Sequence, residues 1–502
     1  MTRGDPDPAW VRRTDHVLRP DPARVVSALF LPGQEMVASG ESRSTAVLGR
    51  VLTLSERDVD AELGRLTAAF AHRHRDLDAT WDAHYALVRH RVVGAGRLTP
   101  GQRRLVGAYF TQEYAIEAAA LFNPSMVAHP DQSGLPSGST RFVMTLRAVG
   151  DGHLSSMELR TGTVDARDVV VLDPEPSVAV LPAARPGAYS RAAFEQQLDD
   201  LGGDRANSDF VLAALAPQFD RQDLDRALGE LRDQRLTRGS AAATVDRFEW
   251  IAGCTYQVAF PEGSAIGERV LMPRGPAECR GLEDVRMARF PTSGGGADYV
   301  GTYTAYDGRD VSTQLLRTRD FATFSAMPLS GPGARNKGLA LFPRKVGARY
   351  LALSRADRES NSLTSSADLL HWDEPVVVQR PEHAWELIQL GNCGSPIETE
   401  RGWLALTHGV GPMRTYGIGA LLLDLDDPAR VLGRLARPLL TATDDERAGY
   451  VPNVVYSCGA MLHGRTLVLP YGSSDSTTRI ALVDVDALLD ELIGHGRDEN
   501  PT

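Results

Sequence analysis

A chain of 502 residues, 42% apolar and 24% charged, has the composition of an ordinary soluble globular protein and the length for two or more domains. Its formal net charge of -11 argues against nucleic acid as the main partner, because a polyphosphate needs a basic face, and no run approaches the ~20 apolar residues of a membrane span. The four cysteines, Cys254, Cys279, Cys393 and Cys458, stand singly with no metal-ligand spacing and no disulfide framework, and the opening Asp, Pro and Arg residues are no signal peptide, so the cytoplasm is the expected compartment.

Residues 1 to 22, rich in Asp, Pro and Arg, read as an irregular lead-in. The β-branched and apolar residues from 44 to 54 predict a strand. From there the spacing becomes helical. Ser55 is a good N-cap for residues 56 to 72, where Val59, Leu63, Leu66, Ala69 and Phe70 recur at helical intervals. A second helix is expected over 77 to 92, with Trp81, Tyr85 and Val88 on one face. Thr99-Pro100-Gly101-Gln102 has the form of a capping box with proline at the first helical position, opening a third helix towards residue 120. Residues 1 to 120 are therefore expected to be a mostly α-helical N-terminal region, with Phe110 and Tyr114 in its core.

After Leu121 the texture turns to β. Phe122-Asn123-Pro124-Ser125 breaks the helix, since proline disfavours helix for the residue before it. Residues 141 to 149 and 154 to 160 read as strands joined by Gly150-Asp151-Gly152. Arg147 lies in the first of these among apolar neighbours, where a charge needs a partner, a ligand or a solvated strand face. Residues 121 to 185 are thus the first strands, and 186 to 245 a helical insertion, capped at Ser190 and striped by Leu224, Leu228 and Leu231. From about 248 to 485 short apolar runs alternate with Gly, Pro, Asp and Asn, as at 299 to 306, 350 to 354, 403 to 408, 418 to 423 and 466 to 471. Such a pattern means a sandwich, barrel or propeller, and no blade-length repeat chooses among them. A helix over 483 to 492 closes the chain.

Glu283, Asp284 and Arg286 place two acids and a cation within four positions. A carboxyl beside a carboxylate and a guanidinium can have its pKa moved either way, a common preparation for acid catalysis, so Asp284 is the candidate proton donor. An exposed turn with a surface ion pair would read the same. Of 54 basic residues only two are lysines, Lys337 and Lys345. A chain that otherwise uses arginine keeps an ammonium where a compact point charge suits a site, and Lys337 is the better candidate because Lys345 precedes a Val-Gly turn. Asn336, Arg355, Glu398, His408, Arg414, Tyr416 and Asp475 complete the loop candidates. Cations gathered around one acid make a pocket for a small anion beside a proton donor.

These stretches carry a resemblance. Gly-Leu-Glu-Asp-Val-Arg at 281–286, Asn-Lys-Gly-Leu-Ala-Leu-Phe-Pro-Arg at 336–344, Gly-Asn-Cys-Gly-Ser-Pro-Ile-Glu-Thr-Glu-Arg-Gly-Trp-Leu at 391–404, Thr-His-Gly-Val-Gly-Pro-Met-Arg at 407–414 and Leu-Asp-Leu-Asp-Asp-Pro at 423–428 resemble, in order, glycoside hydrolase family 130, the β-mannoside phosphorylases and related mannosidases. Residues 122–125 and 147–153 resemble its longer, N-terminally extended members, and the likeness runs from about 105 to 485. It implies a mainly β fold, a five-bladed β-propeller with an N-terminal α-helical module and a helical insertion, in which 246 to 492 form the rest of the propeller and a C-terminal helix. It implies inverting phosphorolysis of β-mannosides, β-1,2-linked mannooligosaccharides foremost, to mannose 1-phosphate, with Asp284 as general acid. Asn123, Arg147, Arg286 and Asp475 match sugar-binding positions. Lys337, Arg355, His408 and Tyr416, with Asn336 beside them, match a phosphate cradle. Inorganic phosphate is then the co-substrate, oligosaccharide the partner, and no metal or organic cofactor is called for. Many members have an aspartate where Gly338 stands here.

The chemistry fits. Inverting hydrolysis needs an acid and a base carboxyl ~6.5–9.5 Å apart, whereas phosphate is already an anionic nucleophile and needs cations to hold it. Two other readings compete: a β-mannosidase using water with Glu398 or Asp475 as base, and a propeller that binds glycans without turning them over. For the N-terminal helices the expectations are a homo-oligomer interface or an amphipathic face packed on the β region.

Overall fold

The computed structural model describes residues 7–33, 42–91, 98–234 and 239–498. Beyond residue 110 the described residues are mainly β, and their longer strands form five successive antiparallel meanders. The first comprises Ala120–Ala128, Thr140–Val149 and Ser155–Val164. The second comprises Gly281–Pro291, Ala297–Tyr306, Val311–Thr318 and Thr323–Pro328, widened by Tyr256–Ala259. The third is Ala340–Leu341, Tyr350–Ser354, Asn361–Ser366 and Val376–Gln379. The fourth is Gln389–Asn392, Gly402–Val410, Tyr416–Leu423 and Val431–Arg434. The fifth joins Val455–Tyr456, Thr466–Ser473 and Thr477–Asp484 to Val11–Leu18 from the other end of the chain.

Each meander shares an apolar core with the next. Val143 and Leu159 of the first meet Leu282 and Met287 of the second, and Val300 and Leu315 of the second meet Leu341 and Ala352 of the third. Phe342 and Leu353 then meet Trp403 and Leu421, and Leu404 and Ile418 meet Leu467 and Ala481. The fifth returns to the first, where Val468 and Leu482 pack on Phe142 and Met144. Cys458 N–H donates to the Pro124 carbonyl at 2.8 Å, and Met126 N–H to that of Gly459 at 3.1 Å. In the fourth meander Gly402–Val410 is covered on both faces, so it is buried throughout and shows no alternation.

Several local expectations are corrected. Residues 44 to 54 are not a strand: Arg43–Leu52 is a helix capped by Ser42, because Leu48 and Val51 lie one turn apart on a face packed against Val59, Val88, Leu105 and Phe110. The helix opened by the Thr99 box, whose two capping bonds measure 3.1 and 3.2 Å, ends at Tyr109. Thr111–Ala115 pairs instead with Val25–Leu29, so tertiary pairing overrides helical propensity. Within the lead-in, Val11–Leu18 is a strand. Phe122-Asn123-Pro124-Ser125 is a bulge inside a strand. Glu56–Phe70 and Leu77–Val88 fall as expected, while residue 92 lies outside the described residues. The segment expected over 186 to 245 is helical, with Arg191–Leu201, Arg205–Ala213, Arg221–Asp233 and Ala241–Cys254 packed around Phe194, Phe219 and Phe248, the last helix running past 245. Among the described residues no helix is long and apolar enough to cross a membrane.

Candidate active site

The first strands of the first and second meanders break their ladders where polar residues are needed. Register shifts separate Phe122 from Ser125 and Glu283 from Arg286, and inside these bulges Asn123 and Asp284 adopt φ of 50° and 56°. Asn336, Ser474 and Asp475 are also left-handed, at 64°, 47° and 48°. Such conformations cost non-glycine residues of order 1 kcal/mol each and gather where side chains must be re-aimed.

The two bulges bring their side chains together. Asn123 Nδ2 donates to Asp284 Oδ1 at 2.8 Å, and Arg147 reaches the same oxygen at 3.4 Å while donating to Glu283 Oε1 at 2.8 Å. Ser155 Oγ steadies the Arg147 guanidinium at 3.0 Å. Arg286 is fully buried beneath, donating to the Asp284 carbonyl at 2.8 Å, to Asn392 Oδ1 at 3.3 Å and to the Tyr456 hydroxyl. Lys337 Nζ lies 2.7 Å from Glu283 Oε2, so Glu283 bridges Arg147 to Lys337.

Lys337 also opens onto a cavity of about 590 Å³ that it lines with Asn336, Arg355, Tyr416, Arg358 and Gln389. Arg358 Nε donates to Asn336 Oδ1 at 2.9 Å, and Arg355 is anchored on the Leu390 carbonyl at 3.1 Å. His408 is buried behind, its ring parallel to that of Tyr416 with centroids 6.0 Å apart and its Nδ1 3.2 Å from the Asn392 carbonyl. Gly391 supplies the clearance: a Cβ there would overlap the Arg355 side chain and lie 2.6 Å from His408 Cε1. Gly338 has φ 86°, and a Cβ would stand 3.3 Å from Arg355 Cδ.

The charges set the protonation states. Burial pushes the Asp284 carboxyl up, but the Arg147, Arg286 and Lys337 charges and the Asn123 bond outweigh it and hold the group below the usual aspartate range. Asp475 is pushed up to about 6 by burial and the charge of Asp284, against the pull of Arg147 and Arg414. Burial, then the charges of Arg355 and Arg286, keep His408 well below the ordinary histidine value, so its ring is neutral.

Asn123, Arg147, Asp284 and Arg286 thus form one hydrogen-bonded group, Asn336, Lys337, Arg355 and Tyr416 line one cavity with His408 behind it, and the Lys337–Glu283 pair joins the two. Glu398 is elsewhere, its carboxylate gripped by Arg344 on the surface. Lys345 is exposed and lies over the Tyr350 ring. Sequence reasoning did not single out Asn392 and Tyr456, which hold Arg286, or Arg358 and Gln389 on the cavity wall. A buried asparagine within Gly-Asn-Cys-Gly was the one available signal. Among the described residues no group of three or more His, Cys, Asp or Glu side chains could hold a metal ion.

A family model described as β-1,4-mannooligosaccharide phosphorylase matches residues 263–493. Over 215 residues the chain is 31% identical to a 1,2-β-oligomannan phosphorylase of Thermoanaerobacter sp. (strain X514), covering 41% of this chain and 70% of that protein. Over 283 residues it is 31% identical to a β-1,2-mannobiose phosphorylase of Listeria innocua serovar 6a, covering 54% and 77%. A solved structure of β-1,2-mannobiose phosphorylase from Listeria innocua, in complex with β-1,2-mannobiose, aligns with 76% of this chain and 93% of its own at 22% identity and a TM-score of 0.45.

Proposed function

The chain belongs to glycoside hydrolase family 130, and we propose that it is an inverting phosphorylase that cleaves β-mannosides, β-1,2-linked mannooligosaccharides foremost, with inorganic phosphate to give mannose 1-phosphate. The observation that carries this reading is the Lys337–Glu283 bridge, which ties a cation-lined cavity to the bulge bearing Asp284. In the proposal phosphate enters among Lys337, Arg355, Tyr416 and Asn336, and the sugar lies across Asn123, Arg147 and Asp475, with Arg286 fixing the backbone of Asp284. If Nδ1 of the neutral His408 donates to the Asn392 carbonyl, its Nε2 is an acceptor, suited to the hydroxyl of a monoprotonated phosphate.

The ionised resting state of Asp284 gives the order of events a physical basis. A phosphate anion among Lys337 and Arg355 cancels part of the positive field that holds the carboxyl low, so phosphate and proton bind cooperatively. The proton then passes to the departing oxygen, directly or through a substrate hydroxyl, as phosphate attacks from the other side. Water-based inversion would need a base: Glu398 is engaged by Arg344 on the surface, and Asp475, which lies among the charges of Asp284, Arg147 and Arg414, is the carboxyl that the phosphate dependence of turnover must discriminate against. The cyclic sharing of cores supports a five-bladed β-propeller with the N-terminal helices and the insertion as additions, the site lying in its central cavity. The proposal places the enzyme in the cytoplasm, where an anionic product is retained; self-association through the N-terminal helices is carried forward as part of it.

Incubation of β-1,2-mannobiose with and without phosphate tests the reading. Mannose 1-phosphate should form only with phosphate. Free mannose released at an undiminished rate in phosphate-free buffer would make the protein a hydrolase, and no turnover in either would leave a binding protein. Lys337→Ala and Gly391→Ala should each raise the KM for phosphate, by about tenfold for a loss of ~1.4 kcal/mol, with the fold retained. An unchanged phosphate dependence in both would remove this cavity from the reaction. Because Asp475 is pushed up to about 6, kcat/KM for the oligosaccharide should fall as the pH drops through that value, where the carboxylate gains a proton and loses its pull on Arg147 and Arg414. Asp475→Asn should abolish that limb of the profile; its persistence would take Asp475 out of the sugar site.

A further inference from the structure

The second meander carries a guanidinium that the proposed reaction does not use. Its register sets Val300, Arg317, Ser325 and Gln257 in one row across four strands, on one face. Around Val300 and Leu315 that face is packed against the third meander. Farther out the packing gives way to a cavity of about 560 Å³, within the range of ligand sites, sharing no lining residue with the cavity of Lys337. Phe290 and Tyr350 form part of its wall, with ring centroids 6.3 Å apart. Lys345, the second of the chain's two lysines, covers one face of the Tyr350 ring.

Among the described residues Arg317 makes no side-chain hydrogen bond or ion pair, and its Nε is buried without a partner, an unfavourable state until something accepts from it. The carboxylates around it are already engaged. Asp298 binds Arg319 at 2.6 Å, Asp320 accepts the N–H groups of Ala322 and Thr323 at 2.8 Å each, and Asp368 accepts from Gln196 of the helical insertion at 2.9 Å. Three carboxylates oppose a polyanion. Half-buried aromatic walls, one open guanidinium donor, the Gln257 amide and the Ser325 hydroxyl suit a neutral molecule with an apolar face and a rim of hydroxyls, which describes a sugar.

We propose that the cavity between the second and third meanders is a second carbohydrate-binding site, which holds units of a mannooligosaccharide on Arg317 and Gln257 against Phe290 and Tyr350. Only the choice of sugar rests on the proposed function. In calorimetry, the turnover-deficient Asp284→Asn protein should bind β-1,2-mannotriose at two sites, and the Asp284→Asn/Arg317→Ala and Asp284→Asn/Tyr350→Ala proteins at one. With Asp284 intact, Arg317→Ala should keep kcat/KM on β-1,2-mannobiose and lose it at least threefold on long β-1,2-mannan chains. Should one of these substitutions prevent folding, the other carries the test. Equal stoichiometry in the single and double variants would overturn the proposal, as would a site that takes inorganic phosphate and not the trisaccharide. Failure of the phosphorylase reading is separately visible, as free mannose released by the unsubstituted protein without phosphate.

Discussion

Asp284→Asn is expected to lower kcat for phosphorolysis by about three to four orders of magnitude, the upper range for loss of a general acid, or ~4–5.5 kcal/mol of barrier. The substitution nearly preserves shape. An amide oxygen can still accept from Asn123 Nδ2 and Arg147, and the backbone carbonyl held by Arg286 is untouched. What is lost is the proton and one negative charge among Arg147, Arg286 and Lys337, with Glu283 left to balance them. The thermal midpoint should therefore move little, and phosphate should bind at least as well because the cavity is more positive. Steady-state kinetics with a melting curve on the same sample separates these quantities. Turnover within tenfold of the unsubstituted protein would remove Asp284 from the chemistry.

Removal of residues 1–18 is expected to destabilise the β region more than any single substitution. Val11–Leu18 is the outer strand of the fifth meander, and its loss bares the edge of Thr477–Asp484. Arg13 leaves with it, taking hydrogen bonds to Glu446, to the Tyr471 hydroxyl and to the Thr441 carbonyl. Glu446 is fully buried but keeps the Tyr471 hydroxyl at 2.6 Å and Arg479 at 3.5 Å, so loss of Arg13 costs less than the ~3–5 kcal/mol of a buried charge left unpaired and adds to the loss of the strand itself, against a total stability of only ~5–15 kcal/mol. A fall in Tm on the order of 10 °C or more, followed by circular dichroism, is the expected result, with Arg13→Ala alone reproducing part of it. A truncated chain that melts within about 2 °C of the full one would show that this strand does not hold the meander.

How much of this was legible in the sequence depended on whether the chemistry lay in one continuous stretch. Asp284 beside Arg286, the isolated Lys337 and the strand-end His408 could be picked out because each sits in a short motif with few structural uses. Asn392 and Tyr456 could not, since they act by holding Arg286, and only the folded chain shows what a buried arginine leans on. The helices at Glu56–Phe70 and Leu77–Val88 announced themselves by period and cap. Arg43–Leu52 did not, because β-branched content outweighed the spacing of Leu48 and Val51. Pro124 was read by its rule against helix, yet it stands in a strand, at a bulge where no amide hydrogen is needed and its carbonyl receives Cys458. The order of the meanders was hidden for a related reason. A strand buried on both faces has no polar side to give away its pleat.

The pairing of the first long strand with the last sets a timetable for making the protein. Thr14 Oγ1 donates to the carbonyl of Ile480, a residue 466 positions later. At the usual ~5–20 residues per second of translation, roughly half a minute to a minute and a half separates the emergence of these partners from the ribosome. Throughout that interval Val11–Leu18 is without its mate, so nascent chains should be most open to aggregation and chaperone capture until Thr477–Asp484 has emerged.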